Sequence, residues 1–310
     1  MKTAAGNKAV LSLFCLLAGV VFLFTSATAR AVSLSPLTFE INVKPGETLS
    51  NFVTVFNNDS VKQSYAAEAQ DFSAVGETGN VVIDNDAPKQ VSAKQWIAFD
   101  PQTFEVEPGQ SKDIRFTLNV PLDADPGGKY TSLLIGIAPG AVSGSGVGIA
   151  SKVASLLLIR VAGDVTEKIS VQSFDTRPFV ETGPINFTLR LKNEGTVHLK
   201  PAGFIYVKDW TGREVQKLSL PQQRVIPGTI RAIEIVWDKK WLLGKYTANF
   251  AGIYGAANDP LLASVSFWVI PWKLISYVLL GLIIIGLILW LMRKRLLLAL
   301  KILFKGETHN

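Results

Sequence analysis

Apolar and polar positions alternate in short runs through most of this chain, and then the alternation stops. The first runs are 37–43 (LTFEINV), 49–56 (LSNFVTVF), 63–70 (QSYAAEAQ), 79–84, 96–100, 112–120 (KDIRFTLNV), 129–137 (KYTSLLIGI) and 154–161 (ASLLLIRV). A second set covers 169–174, 185–192 (INFTLRLK), 198–207, 214–220, 230–237, 244–254 and 262–270. Side chains of a strand point alternately to its two faces, so a period of two rich in β-branched and aromatic residues predicts half-buried strands. No helical period competes with it in this region. The spacing predicts an all-β body of two immunoglobulin-like β-sandwich domains, residues 30–163 and 164–270.

Three phrases punctuate these runs: Val43-Lys44-Pro45-Gly46, Val106-Glu107-Pro108-Gly109 and Val225-Ile226-Pro227-Gly228, each followed by an alternating run. Proline presets φ near −65° and glycine accepts the positive φ of a type II turn, so the recurrence predicts equivalent strand reversals. The stretch 139–150 (PGAVSGSGVGIA) reads as a long strand-to-strand loop. Its glycines lack the helix start and the Lys-Ser/Thr that a phosphate cradle needs.

The alternation ends at 272–290, WKLISYVLLGLIIIGLILW, which carries one charge, Lys273. At about 1.5 Å per residue, roughly 20 apolar residues cross a ~30 Å hydrocarbon core, so 271–292 is expected to be a transmembrane helix. Trp268, Trp272 and Tyr277 mark one interface and Trp290 the other. Arg293, Lys294 and Arg295 follow at once and place residues 293–310 in the cytoplasm as a basic tail. Trp272, Trp290, Arg293, Lys294 and Arg295 are the expected anchoring residues. Within the tail, Lys294, Lys301 and Lys305 share one helical stripe, which predicts a segment lying in the inner interface. The competing expectation is that the membrane helix simply continues.

The amino end fits the same topology. Lys2 and Lys8 precede an apolar stretch, 10–24, and small residues at Ala27, Thr28, Ala29 and Ala31, the pattern of a signal peptide (1–29) cleaved after Ala29 or Ala31. The one cysteine of the chain, Cys15, lies inside that apolar stretch, so the mature part has no thiol for a disulfide or a metal. Charge changes the picture in one respect. The formal net charge of +6 is supplied by Lys2 and Lys8 together with the tail, leaving the exported part neutral. The basicity therefore encodes topology, and no nucleic-acid partner is expected.

Candidate chemistry is sparse. His198 is the one exported histidine and is expected on a strand surface; with one histidine and no cysteine the exported part lacks the three or four ligands a zinc site takes, and no Gly-x-Ser-x-Gly elbow occurs. The acid pairs Asp84 and Asp86, Glu105 and Glu107, and Asp123 and Asp125 sit in or beside turns, where carboxylates stay solvated. Neither an enzyme nor a cofactor is expected. Aromatic residues beside turns are the better binding candidates: Trp210 and Trp241 are expected to be exposed contact residues, whereas Trp96 and Trp237 are expected in the cores.

The layout of signal peptide, a β-domain opening LSPLTFEINVKPGETLSNFVTVFNNDSVKQSYAAEAQDF, a second β-domain, one membrane helix and a basic tail resembles the WxL-interacting protein family of Gram-positive cell surfaces. The words that carry the resemblance are the VKPG turn, the strand ending in Asn57-Asn58 and GGKYTSLLIGI. It implies a peptidoglycan-binding domain followed by a membrane-proximal one. The expected function is a membrane-anchored surface protein that binds or scaffolds, contacting cell-wall polymer or another surface protein. The alternative is a structural stalk of an envelope complex with no ligand of its own.

Overall fold

The computed structural model describes residues 32–84, 87–139 and 152–305, with side chains described as far as residue 293. The expected signal peptide and most of the glycine-rich loop lie outside the described residues. The N-terminal part contains β1 (Ser33–Ser35), β2 (Thr38–Val43), β3 (Thr48–Phe56), β4 (Gln63–Val75), β5 (Asn80–Ile83), β6 (Ile97–Asp100), β7 (Thr103–Val106), β8 (Ser111–Asn119), β9 (Gly127–Ile137) and β10 (Lys152–Val161). The following part contains β11 (Ile169–Asp175), β12 (Phe179–Val180), β13 (Ile185–Asn193), β14 (Ala202–Asp209), β15 (Glu214–Ser219), β16 (Ile230–Trp237), β17 (Gly244–Tyr254) and β18 (Asp259–Val269). The helix α1 (Trp272–Lys305) closes the described chain.

The strands pair into four sheets whose orders repeat. In the N-terminal pair, β1-β3-β8-β6 faces β2-β10-β9-β4-β5; in the C-terminal pair, β11-β13-β16 faces β12-β18-β17-β14-β15. The edge is built the same way in both. The chain starts antiparallel to one strand (β1 on β3, β11 on β13) and then crosses to lie parallel to the last strand of the other sheet (β2 on β10, β12 on β18). This is an immunoglobulin-like β architecture. Each pair closes on its own apolar cluster: Val53, Phe116, Leu133 and Ile159 in the first, Phe187, Leu189, Phe250 and Phe267 in the second.

The Pro-Gly phrases form three copies of one turn. Gly46, Gly109 and Gly228 have φ of 79°, 66° and 74°. In each, the residue after glycine donates its N–H to the carbonyl three back: Glu47 to Lys44, Gln110 to Glu107 and Thr229 to Ile226. Two of the turns also receive a buried asparagine. Asn57 donates its amide to the carbonyls of Val61 and Val106, and Asn193 donates to those of Val197 and Val225. Val106 and Val225 open the second and third Pro-Gly phrases, so the clamp is one device used twice.

The eight runs read from the first part of the sequence all form strands, but β4 continues five residues past its expected end, and β1 and β7 were not anticipated. Residues 198–201, expected to open a strand, instead make an isolated bridge through Leu199 to Val225 ahead of β14. In α1 the apolar stretch Trp272–Arg293 has mean hydropathy 2.8 and no part of it is buried, so it is long and apolar enough to cross a membrane. The separate interfacial helix expected beyond Arg293 is not formed: α1 runs unbroken to Lys305. No glycine or proline lies between Met292 and Lys305, and Leu, Ala and Lys all favour helix, so nothing ends it there.

Candidate functional site

The two sheet pairs meet along a junction that the long β4–β5 hairpin bridges. Its turn carries Glu77, whose carboxylate receives Nε of Arg190 at 2.7 Å and also pairs with Nη2 of that guanidinium. Its main chain accepts the N–H of Ala232 at 2.8 Å. The hairpin thus lies on β13 and β16 of the other pair. Beneath it Phe72, Tyr130 and Leu158 form a small apolar cluster of their own, completed by Val81, Val91 and Leu156 and by Ile226 from the C-terminal pair. This cluster covers the outer face of β9 around Tyr130, while Lys129 and Thr131 share the inner face with Leu133 and Ile135 of the N-terminal core, so the strand is buried on both faces from Gly127 to Gly136.

Beside this cluster opens a cleft of about 200 Å³. Its lining combines the apolar Phe72, Val81, Leu156, Leu158 and Ile226 with the polar Gln222, Gln223, Arg224 and Arg231. Arg224 is neutralised by an ion pair to Glu40. Arg231 donates Nε to Gln223 Oε1 at 2.7 Å, and its guanidinium lies across Gly79, where a Cβ would stand 0.8 Å from Nη1. The φ of +82° at Gly79 suits glycine as well. Burial pushes the Arg231 pKa down, and among the described residues no carboxylate forms an ion pair with it. A half-buried guanidinium without a carboxylate partner, next to apolar side chains, is a place for an anionic group carried on an apolar or extended segment. The volume falls below the several hundred Å³ of most small-molecule pockets, and it suits a side chain or a chain end.

The opposite flank of the junction is closed by polar contacts. Glu167 accepts the N–H of Ala256 at 2.6 Å and pairs with Arg160 at 2.5 Å. Burial pushes its carboxyl up, but the Ala256 N–H and the Arg160 guanidinium outweigh that and hold it below the usual range. Gly128 donates to the carbonyl of Thr196. His198 is not a surface strand residue as expected. It is half-buried against Tyr130 of the N-terminal pair, edge to face at 5.8 Å between ring centroids, with Tyr130 Oη and His198 Nδ1 3.4 Å apart. Burial, and secondarily Arg160, pull its pKa down to about 4; burial also raises that of the Tyr130 phenol. The imidazole is a neutral packing element of the junction.

The sequence-predicted aromatic residues separate clearly. Trp237 lies in the C-terminal core and Trp96 packs half-buried against the N-terminal one, as expected. Trp210 and Trp241 are 76% and 74% exposed; Trp241 follows the end of β16 whose start carries Arg231, and Trp210 follows Asp209, which pairs near the start of β17, toward the end where α1 begins. Trp272 and Trp290 are exposed on α1; the Lys273 ammonium lies 5.6 Å from the Trp272 ring centroid and the Arg293 guanidinium 5.2 Å from that of Trp290. The side chains of Lys294 and Arg295 lie outside the described residues. Among the acid pairs, Glu105 and Glu107 share Lys62, at 2.7 and 3.1 Å. Asp84 accepts from Ser73, while Asp86 lies outside the described residues. Among the described residues no group of three or more His, Cys, Asp or Glu side chains is placed to hold a metal ion.

Sequence reasoning missed the cleft because its parts come from remote segments. Arg231 occupies a position that alternation marks only as polar, and nothing around Glu77 or Gly79 points to β16. A glycine beside a lone acid at a hairpin turn was the available signal, and the same pair is common in turns that touch nothing.

No family model matches the chain, and no curated protein matches it. The resemblance to the WxL-interacting family therefore rests on the sequence features alone. Similar solved structures include a chain of the chaperone–tip adhesin complex of CFA/I fimbriae, at 13% identity over 76% of this chain and 98% of that one, with a TM-score of 0.39. The E. coli chaperone DraB has 13% identity over 77% and 95%, with a TM-score of 0.36. A chain of the Salmonella enterica SafA pilin and SafB chaperone complex has 13% identity over 77% and 99%, with a TM-score of 0.37. At such scores the likeness carries no functional argument, and the immunoglobulin-like architecture stands on the strand order described above.

Proposed function

We propose that this chain is a single-pass membrane protein whose β body stands outside the cell and binds or positions another protein, with the junction cleft as the docking point. Residues 30–163 and 164–270 act as two immunoglobulin-like domains, the second against the membrane, with residues 293–310 in the cytoplasm. The observation that carries the reading is the Arg231 guanidinium, half-buried beside Val81, Leu156 and Ile226 and, among the described residues, without an ion-pair partner, on a body followed by an unburied apolar helix. A cleft of this size fits an anionic side chain or a carboxyl terminus better than a polymer of sugars, which favours a protein over cell-wall glycan. The layout shared with the WxL-interacting family agrees with a surface role. The stalk reading keeps one specific support, the ion pairs and packing that lock the junction.

A photoreactive amino acid placed at Gln223 in the full chain, cross-linked in intact cells and analysed by mass spectrometry, tests the proposal. A discrete protein adduct that disappears in Arg231→Ala is expected. No adduct, in cells where protease added outside removes the β body, leaves a stalk. A β body protected from that protease reverses the orientation.

A further inference from the structure

The end of the C-terminal sheet pair nearest α1 carries three large apolar side chains in water. Trp210, Trp241 and Leu243 are 76%, 74% and 65% exposed. They come from two separate connections, the β14–β15 turn and the β16–β17 loop, and strand register brings these to one level. Asp209 pairs with Tyr246, and Gly244 pairs with Val269, three residues before Trp272 opens α1. The Trp210 ring lies beside Gly244, where a Cβ would sit 3.4 Å from Cδ1. The other loop touches the same region: Lys240 accepts the N–H of Gly183, two residues from Glu181, whose carboxylate holds Lys273 of α1 at 2.8 Å. At about 3.3 Å per residue of extended chain, the level of Gly244 lies roughly 10 Å along β18 before the start of the helix, with the Trp210 turn on the next strand but one.

Neither connection is loose. The Trp210 turn is tied by Asp209, whose carboxylate accepts the N–H groups of Thr211 and Arg213 at 2.9 and 3.1 Å, while Gly212 supplies a φ of +85°. In the loop Asp238-Lys239-Lys240-Trp241-Leu242-Leu243, Leu242 is buried as an anchor and its two neighbours point outward. A rigid turn holding tryptophan in water wastes apolar surface unless something covers it. Lys239, Lys240 and Lys245 are exposed and lie within four residues of Trp241 in sequence, beside one acid, Asp238. Tryptophan and leucine beside lysine is the chemistry of the headgroup region, where an indole has one apolar and one wet side.

The N-terminal pair supplies an independent argument. Its corresponding connections are the β4–β5 turn and the start of β9, where Gly127 has a φ of +128° as Gly244 has +105° at the start of β17. That end rests on the next body along the chain, through Glu77 on Arg190 and Gly128 on Thr196. The same end of the C-terminal pair points to what comes next, which is the membrane that α1 enters.

We propose that this end is a bilayer-docking surface, with Trp210, Trp241 and Leu243 seated in the headgroup region of the leaflet that α1 crosses and Lys239, Lys240 and Lys245 on anionic headgroups. The proposal rests on α1 being a membrane span, and it assigns the two exposed tryptophans to lipid rather than to a sugar or protein ligand. The surface fixes the orientation of the β body and so the direction in which the cleft faces.

Full chain carrying Cys15→Ser and a single added cysteine, spin-labelled and reconstituted into phosphatidylcholine–phosphatidylglycerol vesicles, tests it by accessibility to water-soluble and lipid-soluble relaxers. A label at Lys240→Cys is expected to read headgroup depth, one at Gly281→Cys the bilayer centre and one at Gln110→Cys water. Adding Trp210→Ala with Trp241→Ala is expected to shift the Lys240 label to water without moving the Gly281 label. A Lys240 label that reads water while Gly281 reads the bilayer centre overturns the docking and leaves the span. A Gly281 label that reads water removes the span, and the docking surface with it.

Discussion

The two sheet pairs share a topology and part company at their lower ends. In the N-terminal pair the β4–β5 turn is small and charged, and Glu77 and its glycines let it lie flat on β13 and β16. In the C-terminal pair the equivalent β14–β15 turn projects Trp210, and the loop after β16 projects Trp241 and Leu243. Strand order and core are held constant while turn residues choose what each end meets. A sandwich is therefore a neutral spacer, and its partner is written in the few residues that the strands do not need.

The largest expected effect asks whether the halves are equally dependent on their shared clamp. Asn57 and Asn193 are 1% and 0% exposed, and each satisfies two carbonyls and at least one N–H. Replacing either by alanine strands those groups in the interior and is expected to cost about 3 kcal/mol. Asn57→Ala should cost more, because the Tyr65 hydroxyl also loses its acceptor. Denaturant unfolding of the full chain in detergent, followed by a probe in each half, reads both. If each variant lowers the midpoint of its own half alone, the junction does not couple them. If both lower one shared transition, it does.

Much of this repeat was legible in advance, and for a physical reason. Pro-Gly before an alternating run states a local backbone requirement, and Gly46, Gly109 and Gly228 all meet it with positive φ. Trp210 beside Asp209 and Gly212 announced an exposed turn residue in the same way. The unbroken run after Pro271 announced the apolar helix, though not where it would end. The junction was illegible, because Arg190 and Arg231 occupy strand positions whose meaning depends on which strand lies across from them, and His198 sits in the connection ahead of β14, where no period applies. Hydrophobic period fixes which face of a strand is inward, but it says nothing of contacts between one sandwich and another.

Histidine at the junction sharpens the comparison through pH. The pKa of His198 in the fold, about 4, is below the ordinary 6.5, so the unfolded chain binds its proton first. The stabilisation is fully present above pH 6.5 and is lost as pH falls through 4, amounting to about 2–3 kcal/mol at the acid end. Burial raises the Tyr130 phenol above its ordinary value, so this ring neighbour stays uncharged across that range and does not cancel the effect. Unfolding midpoints between pH 7 and about pH 4 should fall less steeply in His198→Phe than in the parent. An equal fall would place the acid sensitivity elsewhere.

A smaller change separates the cleft from the hairpin that shelters it. Gly79→Ala forces a positive φ on an L residue, at about 1–2 kcal/mol, and drives the Arg231 guanidinium off its seat. The cross-link from Gln223 should then be lost together with a modest loss of stability. Arg231→Ala should lose the same cross-link with stability nearly kept. If the two variants differ in cross-linking, the hairpin rather than the guanidinium holds the partner.

The smallest expected effect concerns the ion pair that fixes the hairpin on the C-terminal pair. Glu77 and Arg190 are each about one-third exposed, and a paired guanidinium holds the Glu77 carboxyl below its ordinary range. An exposed pair adds little stability and is screened by salt, so Glu77→Gln should leave the unfolding midpoint almost unchanged. Its effect belongs to geometry instead. The bidentate fork sets the angle at which the hairpin crosses β13, whereas an amide cannot accept both N–H groups of Arg190. The backbone bond from Ala232 to Glu77 and the packing of Val81 and Ile226 remain. Spin labels at Gln110→Cys and Lys217→Cys, one on each half, should therefore give a broader distance distribution in Glu77→Gln, with the same mean. High salt should broaden the parent in the same direction. If the distribution stays narrow under both treatments, the apolar cluster alone sets the angle, and the difference between the two lower ends reduces to which of them carries tryptophan.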